Sequence, residues 1–169
     1  MKKKIAILGS TGSIGKTLLE IIKDNKKNFD IVLLTADKNY EEILKQTKYF
    51  NVKNIIITNE KSFKELKKKK LDKINVFNNY DSFNNIFKKK IDYVMSSISG
   101  MDGLEPTLKI IKHTKKIAIA NKEAIICGWH LIKKTLKNIK QILYQLTLNI
   151  FQFFMHYKII KFQILKRFI

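Results

Sequence analysis

The sequence predicts an α/β protein: a doubly wound, mostly parallel sheet of the Rossmann-like kind. Three observations predict it. Short apolar runs alternate with helical patterns over residues 1–135, joined by short connections, and that alternation gives parallel strands crossed over by helices. The first run, Ile5-Ala6-Ile7-Leu8, passes directly into Gly9, Gly12 and Gly15 and then into an amphipathic segment. No internal repeat or long linker interrupts the pattern, so 169 residues with 45% apolar side chains suffice for one packed domain.

Each element has its own signal. Ile5–Leu8 is a buried strand. Ile14, Leu18, Ile21 and Ile22 fall on one face of the following helix. Asp30 to Ala36 is a second buried strand, and Glu41 to Tyr49 a helix that turns Ile43 and Leu44 inward. Val52 to Thr58 holds the third strand. Ser62 to Lys70 is a basic helix with Phe63 and Leu66 as its apolar side, and Ser62 and Glu65 have the capping-box spacing that marks a start. Ile74 to Phe77 is a short strand and Tyr80 to Lys88 a short helix. Ile91 to Met95 is the next strand. Leu104, Leu108 and Ile111 form the stripe of the next helix, with Pro106 in the first turn, where a missing N–H costs little. Lys116 to Ala120 is the last strand and leads into Asn121-Lys122-Glu123.

Strand, glycine turn and helix together form a phosphate-binding arrangement. Glycines allow a tight turn and close approach, and the helix offers unpaired N–H groups and its positive dipole end to an anion. Ser10, Thr11 and Ser13 add hydroxyls. The spacing is G-x-x-G-x-x-G, which several reductase families share, including short-chain and semialdehyde dehydrogenases. The bland alternative is a glycine turn with no ligand. Lys16 is at the wrong spacing for a P-loop lysine.

Two further strand ends carry polar residues. At the end of the second strand an acid favours the ribose 2′-hydroxyl of NAD and a cation the 2′-phosphate of NADP. Asp37 and Lys38 stand side by side there, so the chemistry is split; the alternative is a polar loop with Asn39 as an N-cap. Asn121, Lys122 and Glu123 leave the last strand where ligands bind in open α/β sheets, as an amide, a cation and an acid. Their alternative is a capped helix start, with Asn121 as N-cap and Glu123 in the first turn.

The formal charge is +20, which would point to nucleic acid or an anionic membrane. Arg167 is the single arginine among 34 basic residues, whereas readers of phosphate and base edges rely on arginine. Lys, Ile, Asn and Phe dominate together and all have A/T-rich codons, so genome composition accounts for much of the charge, and no nucleic-acid partner is expected. Cys127 is alone, which excludes a disulfide framework and a thiolate metal site and fits a reducing cytoplasm. The apolar run after Met1-Lys2-Lys3-Lys4 is too short for a signal peptide.

Taken together, I-L-G-S-T-G-S-I-G at 7–15, A-D-K-N at 36–39, G-L-x-P-T at 103–107 and A-N-K-E-A at 120–124, followed by Cys127-Gly128, resemble the 1-deoxy-D-xylulose 5-phosphate reductoisomerase family over residues 1–135. That family converts its phosphosugar substrate to 2-C-methyl-D-erythritol 4-phosphate with NADPH in isoprenoid synthesis. The resemblance implies that Thr11, Gly12, Ser13 and Ile14 hold the NADPH pyrophosphate, and that Lys38 and Asn39 meet the adenosine 2′-phosphate end. It implies that Asn121 and Glu123 contact the cofactor and Lys122 the substrate. Asp37 stands where the family usually has glycine, and a carboxylate beside a 2′-phosphate repels it. The family also uses Mg²⁺ or Mn²⁺, bound by a D-S-E segment soon after A-N-K-E and a later glutamate, and runs to about twice this length as a homodimer.

This sequence has no Asp or Glu after Glu123. Metal ligands are therefore missing, no catalytic residue is assigned, no dimer is expected, and the chain is expected not to turn over alone. A reason can be read in the tail. Tyr144 to Asn149 can be coded TAC CAG TTG ACT CTG AAC, followed by the AT of Ile150; read two bases later this gives P-V-D-S-E-H, the family's metal segment. A frameshift within about 130–142 is expected, making 136–169 an aberrant tail, irregular or helical and basic, and not a domain. Its aromatics Phe151, Phe153, Phe154, Tyr157, Phe162 and Phe168 resemble a membrane-surface helix but lack the twenty-residue apolar run of a spanning segment. His113, His130 and His156 have no metal-ligand spacing. Cys127 is expected to be a small core or near-core residue and not a nucleophile, and Trp129 to serve packing.

Two rivals make different demands. Another NAD(P)-dependent reductase needs a Tyr-x-x-x-Lys pair or a reactive cysteine; Tyr49–Lys53 and Tyr157–Lys161 have the spacing. A basic protein for nucleic acid or an anionic membrane surface needs salt-dependent binding with no taste for NADPH.

Overall fold

A computed structural model describes residues 1–69, 71, 73–139 and 142–145 of the chain. Its strands are β1 (Lys3–Leu8), β2 (Phe29–Ala36), β3 (Asn54–Ile57), β4 (Asn75–Phe77), β5 (Ile91–Ser96), β6 (Thr114–Ile119) and β7 (Ile142–Gln145). The helices between them are α1 (Ser13–Asp24), α2 (Tyr40–Phe50), α3 (Glu60–Lys68), α4 (Phe83–Ile86), α5 (Leu104–Ile111) and α6 (Lys122–Ile139). Among the described residues the strands form one sheet in the order β4-β3-β2-β1-β5-β6-β7, and every pairing is parallel. The chain steps outward from β1 to β4, then returns to β5 on the other side of β1. That reversal places a crevice at the carboxyl ends of β1 and β5.

Alternation along the strands builds both faces. Ile5, Ile7, Ile31, Ile55, Ile57 and Met95 join Leu19 and Ile22 of α1, Ile43 and Leu44 of α2 and Leu66 of α3. Ala6, Leu8, Leu33, Ile56, Val94 and Ile117 face the opposite way, onto Phe83, Ile110, Ile111, Ile125 and Ile132. The central strands are therefore buried on both sides, which is why they read as continuous apolar runs.

Several boundaries and faces differ from expectation. On α1 the buried residues are Gly15, Leu19 and Ile22, while Ile14 and Leu18 are only partly buried against the core. The helix is rotated because Gly15 sits directly against the turn: a Cβ there would lie 2.4 Å from the Gly9 carbonyl oxygen. Helix α3 begins two residues before Ser62, because Asn59 accepts from the Ser62 amide (3.1 Å) and is the true cap. The Ser62 hydroxyl instead donates to the Lys38 carbonyl (2.9 Å). The segment after β4 splits into a 3₁₀ turn, Tyr80–Ser82, and the single turn α4.

Cys127 is exposed, against the expectation of a place in or near the core, and Trp129, expected to serve packing, is 43% exposed. The inner stripe of α6 is Ala124, Ile125, Gly128, Ile132 and Leu136, at helical spacing, so 127 and 129 lie outside it. Gly128 is the contact point with α5, since a Cβ there would collide with the Leu104 side chain. In the stretch expected to be an irregular or helical tail, 136–139 complete α6 and Ile142–Gln145 form β7, paired with Lys116–Ile119 of β6. The apolar, strand-forming Ile-Leu-Tyr sequence explains a strand there. The tail aromatics, His156 and Tyr157–Lys161 lie outside the described residues.

Candidate functional site

The glycine turn is fixed by backbone sterics. Gly9 has φ +78°, and a Cβ on it would come within 2.9 Å of the Ser97 carbonyl oxygen, so only glycine fits where the β1 and β5 exits touch. Gly12 is the N-cap of α1, extended and exposed, with no side-chain cap and no acid in the first turn. Helices α2, α3 and α6 are by contrast each capped by an asparagine. The α1 terminus thus presents backbone N–H groups and a positive dipole end to solvent, uncompensated by a side chain. Thr11 is half-buried, Ser13 is exposed and Ile14 anchors the first turn on the core.

Ser10 does not point outward as expected. It is fully buried, its amide and hydroxyl both donating to the Thr35 carbonyl (2.9 and 3.3 Å). The Gly9 amide donates to the Thr35 hydroxyl (3.0 Å), and the Gln46 side-chain amide donates to the Ser10 carbonyl (3.1 Å). β2 and α2 therefore clamp the turn. Thr35 and Gln46 were not singled out in the sequence; the available signal was a threonine closing an otherwise apolar strand, just before the polar loop.

That loop holds Asp37, Lys38 and Asn39, all exposed. The Asn39 side chain accepts from the Glu42 amide (3.1 Å) and caps α2, so the capping alternative is realised. The Lys38 carbonyl accepts from the Tyr40 amide and the Ser62 hydroxyl, which fixes its backbone. Asp37 Oδ1 accepts from the Thr58 hydroxyl (3.0 Å). Tyr80 lies close by; burial first of all pushes its phenol up to about 12.

On the other side of β1, the Ser97 amide and hydroxyl donate to the Leu8 carbonyl (2.9 and 2.7 Å). Asn121 is 4% exposed. Its side-chain amide donates to the carbonyls of Ile98 (2.6 Å) and Gly100 (2.5 Å), and its oxygen accepts from the Ala124 amide (3.0 Å). It is at once the cap of α6 and the tie to the β5 exit. Lys122 is exposed and Glu123 half-buried in the first turn of α6.

Because every strand is parallel, all these loops share one edge of the sheet. Contacts run from Gly9 to Ser97 and Ile98, and from Ile98 to Asn121. β1 and β6 are separated only by β5, so their ends lie about 10 Å apart, well within the span of one dinucleotide. Residues 11–14, 37–39 and 121–123 are therefore brought together. Tyr49 and Lys53 precede β3 and fall at the opposite edge, where Lys26 lies over the Tyr49 ring (4.4 Å). Among the described residues no three His, Cys, Asp or Glu side chains gather to hold a metal ion, and no helix is long and apolar enough to cross a membrane.

Comparison with known proteins gives a matching family model and similar relatives. The family model for 1-deoxy-D-xylulose 5-phosphate reductoisomerase matches residues 5–128. The reductoisomerase of Pelagibacter ubique is 64% identical over 141 residues, which is 82% of this chain and 36% of that protein. The chain thus spans about a third of the length of the curated relatives it matches. The solved reductoisomerase of Zymomonas mobilis in complex with NADPH superposes with a TM-score of 0.78 at 26% identity, covering 86% of this chain and 38% of that one. A second reductoisomerase structure, in complex with NADPH, fosmidomycin and magnesium, gives 0.77 at 27% identity over 85% of this chain and 36% of that one.

Proposed function

The chain belongs to the 1-deoxy-D-xylulose 5-phosphate reductoisomerase family, and we propose that residues 1–135 are an NADPH-binding domain of that kind. The observation that carries the proposal is the side-chain-uncapped α1 terminus behind a glycine turn, on the same sheet edge as Lys122. The cradle fits the cofactor: Gly9 and Gly15 leave no room for a Cβ, and the anion-facing helix turn carries no acid.

In this reading the amides around Thr11, Gly12, Ser13 and Ile14 hold the pyrophosphate. Lys38 offers its ammonium to the 2′-phosphate, while Asn39, engaged in capping, holds the Lys38 loop in place. Asn121 has its side-chain groups engaged already, so it reaches the cofactor through its backbone and orients the two residues that follow. Glu123 accepts from a cofactor hydroxyl. Lys122 attracts the anionic phosphosugar. The bound cofactor supplies hydride for reduction.

The whole-protein activity, conversion of 1-deoxy-D-xylulose 5-phosphate to 2-C-methyl-D-erythritol 4-phosphate, is proposed for the family-length enzyme. The family's divalent metal needs hard oxygen ligands, and the described residues do not fit it. We propose that the chain binds NADPH in a reducing cytoplasm, does not turn over alone, and carries an out-of-frame segment after about residue 135. Sequencing the gene across the codons for 130–150 is expected to show D-S-E-H coding in another frame; its absence removes the frameshift.

Titration followed by nucleotide fluorescence tests the binding proposal. Saturable binding of NADPH that survives moderate salt is expected. Binding that collapses with salt and is matched by any polyanion would favour the basic-surface reading instead.

A further inference from the structure

Granted the dinucleotide site proposed above, its adenosine end is built from three adjacent strand ends. β2, β3 and β4 deliver one carboxylate, two hydroxyls and one ammonium to the same area. Asp37 follows β2; Thr58 follows β3 and donates its hydroxyl to Asp37 Oδ1 (3.0 Å). The Asp37 carbonyl accepts from the Asn59 amide (3.3 Å). Backbone and carboxylate are therefore both fastened to the β3 exit. Tyr80, after β4, lies near Thr35 and Thr58 and in the field of Asp37. Its raised pKa keeps it a neutral donor at any working pH. Lys38 is exposed, on a flexible four-carbon stem, with only its backbone pinned.

An acid at this position accepts from a ribose 2′-hydroxyl; a cation accommodates a 2′-phosphate. Here the acid is held in place, whereas the cation must give up rotamer freedom to act and is screened by salt. We propose that Asp37 is the coenzyme-selectivity residue of this chain: it accepts from the adenosine 2′-hydroxyl of NADH and repels the 2′-phosphate of NADPH. The chain therefore binds both coenzymes with a narrow margin between them.

The test is equilibrium titration of the full 169-residue chain with NADPH and with NADH, for the wild type, Asp37→Asn, Asp37→Ser and Lys38→Gln. Asp37→Asn keeps an acceptor for Thr58, so the loop should stand. The two affinities of the wild type are expected within about tenfold of each other. Removing one charge some 6–7 Å from a doubly charged phosphate in a water-like dielectric should move the ratio toward NADPH by about five- to tenfold in both Asp37 variants. Lys38→Gln should move it the other way. If both coenzymes bind but the ratio is unchanged in the Asp37 variants, or the wild type prefers NADPH by more than about a hundredfold, the selectivity role is overturned while the site stands. If folded protein, judged by circular dichroism, binds neither coenzyme in any variant, the site reading falls and takes this role with it.

Discussion

At the carboxyl ends of β1, β5 and β6, polar side chains are engaged with one another's backbones: Ser97 on Leu8, Asn121 on Ile98 and Gly100, Ser10 on Thr35. At the carboxyl ends of β2, β3 and β4 the corresponding residues, Asp37 and Lys38, are exposed. In the proposed site, the β1 and β5 exits would meet the cofactor through backbone groups that side chains hold in position, with Lys122 and Glu123 after β6 adding their side chains. The β2 exit would meet it through the side chains of Asp37 and Lys38. A polar residue that braces the backbone, such as Ser97 or Asn121, would then act on shape, and Asp37 and Lys38 on selectivity.

The largest effect expected from breaking this division is at Gly15. A Cβ there would lie 2.4 Å from the Gly9 carbonyl oxygen and 2.6 Å from Ser10 Cα, both backbone atoms that cannot swing away. Gly15→Ala should cost about 3 kcal/mol and abolish nucleotide binding. Urea unfolding and titration check both; a variant that keeps its midpoint and its affinity would mean the turn is looser than its contacts imply.

Asn121 comes next. Asn121→Ala takes the side-chain donor from two part-buried carbonyls, of which Gly100 keeps the Gly103 amide (3.3 Å), and leaves α6 without its cap, an expected loss of about 2 kcal/mol. Asn121→Asp keeps the cap but sets a carboxylate against the Ile98 and Gly100 carbonyls, and should be at least as damaging. Were Asn121 chiefly a ligand contact, both variants would instead keep their stability and lose affinity alone.

The same contrast explains what could be read in advance. The strands were legible because burial on both faces leaves continuous apolar runs, and Gly9, Gly12 and Gly15 were legible because their spacing is local. Asn121 was visible as a polar residue after a strand, but its partners lie more than twenty residues away, so ligand and brace looked alike. Thr35 and Gln46 hold the turn through contacts that span α1, at separations of 26 and 36 residues, which no local pattern encodes. For Cys127 residue type suggests the core, whereas helix phase places it outside.

A milder break is Thr35→Val. The shape is kept, but the Gly9 amide loses its acceptor while the Ser10 bonds to the Thr35 carbonyl remain. The expected loss is about 1–2 kcal/mol with weakened but measurable NADPH binding. An unchanged unfolding midpoint would show that water replaces the hydroxyl and that the β2 clamp works through its backbone alone.

The smallest effect lies at the other end of the sheet. His113 precedes β6, its ring 5.5 Å from Phe87 and 6.3 Å from Phe83, with Nε2 buried and without a hydrogen-bond partner. Burial first, then the charge of Lys112, lowers its pKa. The folded state therefore binds this proton less readily than the unfolded chain, whose histidine titrates near 6.5. The associated stability is present above about pH 6.5 and is lost as pH falls through the lowered folded value. Part of the ring is exposed, so solvent screening keeps the effect small. Thermal unfolding between pH 7.5 and 5 should show a slightly steeper fall for the wild type than for His113→Phe, with nucleotide affinity near neutral pH the same in both. A difference in affinity near neutral pH would mean that the two ends of the sheet are coupled, and that the polar ties at the carboxyl edge do not isolate it from the core beneath.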